Sequence, residues 1–201
     1  MAPAADLAAH GIFVREDFLP LSLCRQVCKD IDSFPLSDGD IWLPEEGFHI
    51  NDQIKRRKEI SYSADTQPKL HQKIYEASAE LADRFSLQLG TLQPLKFTRY
   101  DVGDFYQPHR DLLDEPAPEV IRSRKLALTL FLNQQGDEPD EADYCGGSLA
   151  FYGLISDPSW HGAGIPLDSE AGMLVAFRPD ILHEVTPVTH GVRYAITTWL
   201  C

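Results

Sequence analysis

The spacing of apolar residues changes about halfway along the chain. In LSLCRQVCKDIDSF, Leu23, Val27, Ile31 and Phe34 recur at helical intervals, and Leu70, Ile74, Leu81 and Phe85 repeat the pattern in QPKLHQKIYEASAELADRFSL. Two amphipathic helices are therefore predicted, each laying one face on a sheet. The stretch GIFVRE ahead of them reads as a short strand. Between the helices, SDGDIWLPEEGFHINDQIKRRKE holds neither period, mixes its charges and is punctuated by Gly and Pro. It reads as a long loop or as a strand pair with a mobile tip.

From about Leu95 onward the helical period is gone. LKFTRY, DFYQPHRD, KLALTLFLN, GGSLAFYG, GMLVAFRP, HEVTPV and RYAITTWL follow one another as short β-rich segments, separated by turn formers such as Asp-Val-Gly, Asn-Gln-Gln-Gly, Cys-Gly-Gly and Thr-His-Gly. Many short strands at this spacing predict a sandwich or barrel with the two helices packed outside it. The chain has 201 residues, 43% of them hydrophobic, and its composition shows no break, so one domain is expected over residues 1–201.

Charge narrows the partners. With 18 basic and 31 acidic residues the net charge is −13, which opposes approach to a phosphate backbone, so nucleic acid is a disfavoured partner. No run of apolar residues is long enough for a membrane span, and MAPAADLAAHGIF lacks the basic flank and continuous apolar stretch of a secretory signal, so a cytoplasmic protein is expected. Cys24, Cys28, Cys145 and Cys201 form neither a C-x-x-C pair nor a zinc spacing and read as free thiols without a function.

The segment FYQPHRD carries the chemistry. Side chains two apart on a strand share a face, so His109 and Asp111 are expected to project together while Pro108 and Arg110 face away. An imidazole and a carboxylate aimed inward are costly to bury without a partner, and a metal ion is one such partner. His183, where PDILHEVTPV turns β-rich, is the candidate third ligand. Two His and one carboxylate on one face suit non-haem Fe(II) and leave positions open for co-substrate and oxygen. His10, His49, His71, His161 and His190 read as ordinary hydrogen-bonded residues.

A fourth residue adds weight. Alternation along RYAITTWL places Arg193, Ala195, Thr197 and Trp199 on one face. If that face is interior it carries a guanidinium into the core, where its planar fork requires an anion and fits a carboxylate bidentately. A salt bridge to one of the many acidic residues is the plainer alternative.

On these residues the chain resembles the 2-oxoglutarate and Fe(II)-dependent oxygenases, specifically the prolyl hydroxylase branch that includes prolyl 4-hydroxylases and hypoxia-type prolyl hydroxylases. RYDVGDFYQPHRD, LFLN followed by CGGSLAFY, and HEVTPVTHGVRYAITTWL match that branch's motifs in order, from about Phe97 to the C-terminus. The resemblance implies a double-stranded β-helix, a cupin-like jelly roll packed on N-terminal helices, with residues 93–201 as its core and 1–92 as helical support and substrate loop. It implies His109, Asp111 and His183 as iron ligands, Arg193 as partner of the distal 2-oxoglutarate carboxylate, Tyr100 and Thr197 in the co-substrate pocket, and Trp199 near the metal and pocket wall. O2 is then the second co-substrate and ascorbate the expected reductant.

Further expectations come with the resemblance. Hypoxia-type members carry a tyrosine where this chain has Leu130 before Phe131, so Tyr100 or Thr197 is expected to supply the missing hydrogen bond. The segment from Trp42 to Lys58 matches a mobile finger that closes over a peptide. Arg56 and Arg57 in that segment, Arg122 and Arg124 after the H-x-D motif, and Trp199 are candidate substrate contacts. The implied reaction is hydroxylation of a prolyl residue in a protein or peptide, with 2-oxoglutarate decarboxylated to succinate. Hydroxylation of a free amino acid or other small molecule, and a non-catalytic jelly-roll binding module, are the alternatives.

Overall fold

In the computed structural model, which describes residues 7, 10–60, 66–139, 143–155, 157, 159 and 161–201, the change of period becomes a change of layer. Strand β1 (Ile12–Arg15) precedes helix α1 (Leu21–Ser33). Five short strands follow: β2 (Ser37–Asp38), β3 (Ile41–Leu43), β4 (Gly47–His49), β5 (Lys55–Arg56) and β6 (Lys58–Ile60). Then come helix α2 (Gln67–Phe85), β7 (Lys96–Tyr100), β8 (Phe105–His109) and the four-residue helix α3 (Glu119–Arg122). The remaining strands are β9 (Leu126–Phe131), β10 (Tyr144–Gly146), β11 (Leu149–Phe151), β12 (Ile165–Leu167), β13 (Leu174–Phe177), β14 (His183–Val185), β15 (Val188–Gly191) and β16 (Arg193–Leu200).

Two sheets carry the fold. The larger runs β1-β13-β9-β16-β7-β6-β2 and the smaller β12-β11-β14-β8-β5, and β10 pairs with β15 and β3 with β4 as two-stranded ribbons. Strands that follow one another in sequence repeatedly change sheet, the signature of a double-stranded β-helix, so the expected jelly roll is present.

The central strands are buried on both sides. Leu126, Leu128 and Leu130 of β9 pack with Val27 and Ile31 of α1 and Leu70 and Ile74 of α2. Ala127 and Phe131 of the same strand join Phe151, Phe177 and Trp199 in a second core between the sheets. Strand β16 divides likewise, with Ile196 and Leu200 toward the helices and Trp199 between the sheets. That is why KLALTLFLN reads as a nearly continuous apolar run, broken only by Thr129 inside it, rather than an alternating one.

Three local differences from the sequence reading matter. The segment HEVTPV is not one strand: Pro187 has no N–H for a ladder, its carbonyl accepts from Gly147 N at 3.0 Å, and the chain passes from β14 in one sheet to β15 in another. Cys-Gly-Gly is not a simple turn, because Tyr144–Gly146 pairs with β15 through a bulge between Cys145 and Gly146. The segment from Ser37 to Lys58 is strand-rich. The β3–β4 hairpin stands as a separate two-stranded ribbon, β2 and β6 extend the large sheet, and β5 pairs with β8, Lys55 opposite Tyr106. Among the described residues no helix is long and apolar enough to cross a membrane.

Candidate active site

Strands β8 and β14 are antiparallel neighbours, and their register sets His109 directly opposite His183. The two rings lie 4.3 Å apart between centroids. Asp111 lies just past the end of β8 rather than on it, which corrects the shared-strand expectation. Its backbone N–H donates to the Pro179 carbonyl at 2.9 Å, and this bend aims the carboxylate back at the histidines. Asp111 Oδ1 is 3.6 Å from His109 Nε2 and Oδ2 is 3.7 Å from His183 Nε2. One ligand atom from each of the three lies within 4.8 Å of the others, the one such grouping among the described residues.

The surroundings prepare these atoms for a cation. His109 Nδ1 is 2.8 Å from the Gln107 carbonyl and His183 Nδ1 is 2.9 Å from the Ile181 carbonyl. A carbonyl only accepts, so each Nδ1 carries the proton and each Nε2 keeps its lone pair for the centre of the triad. Burial, reinforced by His183, holds the His109 imidazole well below its usual pKa and therefore neutral. Burial pushes the Asp111 carboxyl up, but His183, His109 and Arg124 outweigh it and keep the group ionised. Trp199 Nε1 donates to Asp111 Oδ2 at 2.9 Å. The ring of Tyr106 stacks on His109 at 3.5 Å, and Phe177 meets His183 edge-on at 4.7 Å. Two imidazoles and one carboxylate, held from behind, fit a divalent iron.

Beside the triad a narrow cavity runs between the sheets to Arg193, past Tyr100, Thr129, Thr197 and Val185. Arg193 is 2% exposed and its buried Nε has no hydrogen-bond partner. No carboxylate pairs with it among the described residues. Its guanidinium lies 5.0 Å from the Tyr100 ring centroid and 5.2 Å from that of Phe131. Tyr100 Oη accepts from Arg57 Nη1 at 2.9 Å, and since a guanidinium can only donate, the phenol's own proton is left to point elsewhere. A buried guanidinium that no carboxylate among the described residues neutralises, its Nε without a partner, and a free hydroxyl donor fit a carboxylate. Gly147 packs against this Arg193, because a Cβ there would stand 3.0 Å from Arg193 Cδ, at a φ of +59°.

On the other side of the triad lies a wider cavity of about 480 Å³. Its walls include Trp42, Leu43 and Phe48 from the β3–β4 hairpin, Tyr106, Leu113 and Pro116. His109 and Asp111 are at its floor.

The predicted residues are thus distributed unevenly. His109, Asp111, His183, Arg193, Tyr100 and Thr197 share one cavity. Trp199 and Arg124 line the wider one, but both also hold Asp111. Arg124 donates to the Asp111 carbonyl at 2.9 Å and lies over the Trp199 ring at 3.6 Å. Arg57 borders both cavities. Arg56 pairs with Asp104 at 3.0 Å, and Arg122 pairs with Glu115 and Glu119 at 3.2 and 2.8 Å; neither lines either cavity. Leu130 packs on the helices, so no tyrosine is missing from the pocket at that position. The neighbour that faces Arg193 is Phe131. Sequence reasoning missed Tyr106, whose alternation with Pro108 gave no hint of a ring stacked on a ligand, and Glu59, which looks like surface charge inside KRRKE.

Comparison with known proteins agrees with this geometry. The family model described as 2OG-Fe(II) oxygenase superfamily matches residues 95–201. A PKHD-type hydroxylase of Janthinobacterium sp. (strain Marseille) is 28% identical over 179 residues, 87% of this chain and 71% of the relative. The chain spans only 62% of similar PKHD-type hydroxylases from Nitrobacter winogradskyi and Xylella fastidiosa. Among solved structures, a Pseudomonas putida prolyl-4-hydroxylase superposes with a TM-score of 0.71 at 23% identity, covering 98% of this chain and 95% of that one. A prolyl hydroxylase from Trichoplax adhaerens, solved with a hypoxia inducible factor peptide fragment, gives 0.68 at 21% identity, covering 98% and 86%.

Proposed function

From the premise that the chain belongs to the 2OG-Fe(II) oxygenase superfamily, we propose that it hydroxylates a prolyl residue of a protein or peptide, with His109, Asp111 and His183 as the iron ligands. The observation that carries the reading is the wide cavity opening onto the triad, walled by Trp42 and Phe48 of the β3–β4 hairpin. A cleft of this kind takes a ring-bearing chain segment against apolar surface while one C–H bond approaches the metal face. The relatives named as prolyl hydroxylases support the same substrate class.

Fe(II) with 2-oxoglutarate and O2 supplies the oxidant, which leaves one oxygen atom on substrate carbon and the other in succinate, with CO2 released. The chain's own residues bind and orient. Arg193 receives the distal carboxylate of 2-oxoglutarate as a buried fork, Tyr100 donates its free proton to it, and Thr197 adds a hydroxyl at the cavity wall. Trp199 and Arg124 hold Asp111 from its side chain and its carbonyl. Arg124 and Arg57 offer donors to peptide carbonyls from the wall of the wide cavity, and the hairpin excludes water when substrate is in place. Ascorbate would be the accompanying reductant.

The test follows succinate from 2-oxoglutarate, Fe(II) and ascorbate in wild type, His109→Ala and Arg193→Ala, with a panel of proline-containing peptides and free amino acids. Turnover that depends on both residues and is stimulated by peptides is expected. Stimulation by free amino acids alone would replace the peptide reading with small-molecule hydroxylation.

A further inference from the structure

Between the two cavities lies a buried charged cluster centred on Glu59, a residue this reading leaves without a role. Glu59, on β6, accepts from Arg57 Nε and Nη2 at 3.0 and 2.6 Å and from Lys55 Nζ at 2.8 Å, and Lys96 Nζ is 3.2 Å from its other oxygen. Its side chain is 14% exposed. Burial pushes the carboxyl up, but Arg57, Lys55 and Lys96 outweigh it and hold it far below the usual carboxylate range. One ionised carboxylate thus gathers three basic side chains.

The cluster reaches in two directions. Arg57 spends Nε and Nη2 on Glu59, which fixes the plane of the guanidinium and directs Nη1 to Tyr100 Oη. Toward the hairpin, Lys55 Nζ donates to the Asp40 carbonyl at 2.6 Å, Lys96 Nζ is 3.4 Å from Asp40 Oδ1, and Gly39 N donates to the Arg57 carbonyl at 3.0 Å. Asp40 immediately precedes β3. A side chain at Gly39 has no room, since its Cβ would lie 2.8 Å from both Glu59 Oε1 and Lys55 Cε.

We propose that Glu59 and Arg57 are a positioning pair that fixes the Tyr100 hydroxyl as a donor toward the 2-oxoglutarate carboxylate and joins that contact to the base of the β3–β4 hairpin. The inference rests on the placement of that carboxylate between Arg193 and Tyr100. Tyr100 has one proton and two acceptor directions; Arg57 occupies an acceptor direction and so selects the rotamer in which the proton faces the cavity. Because the same carboxylate anchors the hairpin base, an event that displaces Asp40 or Gly39 is transmitted to the co-substrate, and the coupling is reciprocal in binding free energy.

The experiment is calorimetric titration of 2-oxoglutarate into the Mn(II)-loaded protein, comparing wild type, Glu59→Gln, Tyr100→Phe, their double variant, Arg57→Lys and Gly39→Ala. Mn(II) affinity and thermal unfolding are recorded for each. Glu59→Gln and Tyr100→Phe are each expected to weaken 2-oxoglutarate roughly tenfold at unchanged Mn(II) affinity. The double variant should be no weaker than the worse single one, because both remove one contact. Arg57→Lys, which keeps the charge and loses the fork, should behave like Glu59→Gln, and Gly39→Ala should weaken binding from the hairpin side. Fully additive losses, or wild-type affinity in a folded Glu59→Gln or Arg57→Lys protein, would overturn the pair. Wild type that binds Mn(II) but no 2-oxoglutarate would instead overturn the carboxylate placement on which the pair depends.

Discussion

The indole of Trp199 donates to Asp111 Oδ2 at 2.9 Å, so the residue near the end of the last strand steers the one acidic member of the triad. Without that donor, a buried carboxylate oxygen loses its partner and its orientation. Trp199→Phe keeps a ring for Arg124 to stack on and removes only the N–H. We expect it to lower Mn(II) or Fe(II) affinity roughly tenfold, measured by metal titration of the folded apoprotein. Unchanged affinity would show that the backbone contact of Asp111 with Pro179 suffices.

Arg193→Met tests the anion site separately from the metal. The variant replaces a buried cation with an apolar chain of similar length and leaves the triad intact. Metal affinity should be retained, while 2-oxoglutarate should bind on the order of a hundredfold more weakly, as expected for a charge-assisted bidentate contact. Equal loss of metal and co-substrate would point to a collapsed cavity instead.

Gly147→Ala should mimic part of that effect from a distance. The added methyl meets Arg193 Cδ at 3.0 Å and Val188 Cγ2 at 2.9 Å in a backbone conformation that favours glycine. A loss of about 1–3 kcal/mol in stability is expected in denaturant unfolding, together with weaker 2-oxoglutarate binding. A stability loss with normal co-substrate affinity would mean that the Arg193 side chain moves aside without consequence.

Lys55 predicts a pH dependence of stability. Burial, then the neighbouring Arg57, lowers its ammonium from 10.5 to about 7, against the opposing pull of Glu59. Its folded-state pKa lies below the unfolded one, so between those values the unfolded chain binds more protons, and the contribution to stability rises with pH. Burial raises the Cys24 and Cys28 thiols to about 11 and 12 from 9.0, an opposite effect that begins near pH 9. Between about pH 7 and 9, the stability of wild type relative to Lys55→Met should therefore climb, by at most about 1.4 kcal/mol per pH unit. Denaturant melts at pH 7, 8 and 9 measure it, and a flat difference would show that Lys55 stays charged in the folded protein.

Trp42→Ala at the hairpin removes apolar wall from the wide cavity without touching the triad. Peptide KM should rise several-fold while uncoupled succinate formation without peptide stays near wild type. An effect on uncoupled turnover as large as that on peptide KM would place the hairpin in co-substrate binding.

Much of this molecule was legible in the sequence because its periods are strong. The helical spacing of Val27, Ile31, Leu70 and Ile74 and the alternation through Arg193–Leu200 appear in the fold as read, since each reports which face meets a core. His109, Asp111 and His183 were legible as a set from residue chemistry together with the family motifs, although Asp111 reaches its place by a bend that alternation does not encode. Other features depend on partners far along the chain. Nothing local marks Glu59 as buried among three basic side chains, or assigns Leu130 to the helix side and Phe131 to the cavity before the register of β9 is known. The split of HEVTPV needed the destination of each half and not only the proline between them.

The pairing of His109 with His183 across β8 and β14 also bears on how the protein is made. The two strands are separated in sequence by most of the jelly roll, so the ligand atoms meet only once distant parts of the chain have paired. A metal ion that needs both imidazoles binds the finished roll far better than any partly assembled chain. A bound ion would therefore act as a thermodynamic latch on the β8–β14 pairing, and withdrawing it should loosen that seam before the helix-packed side.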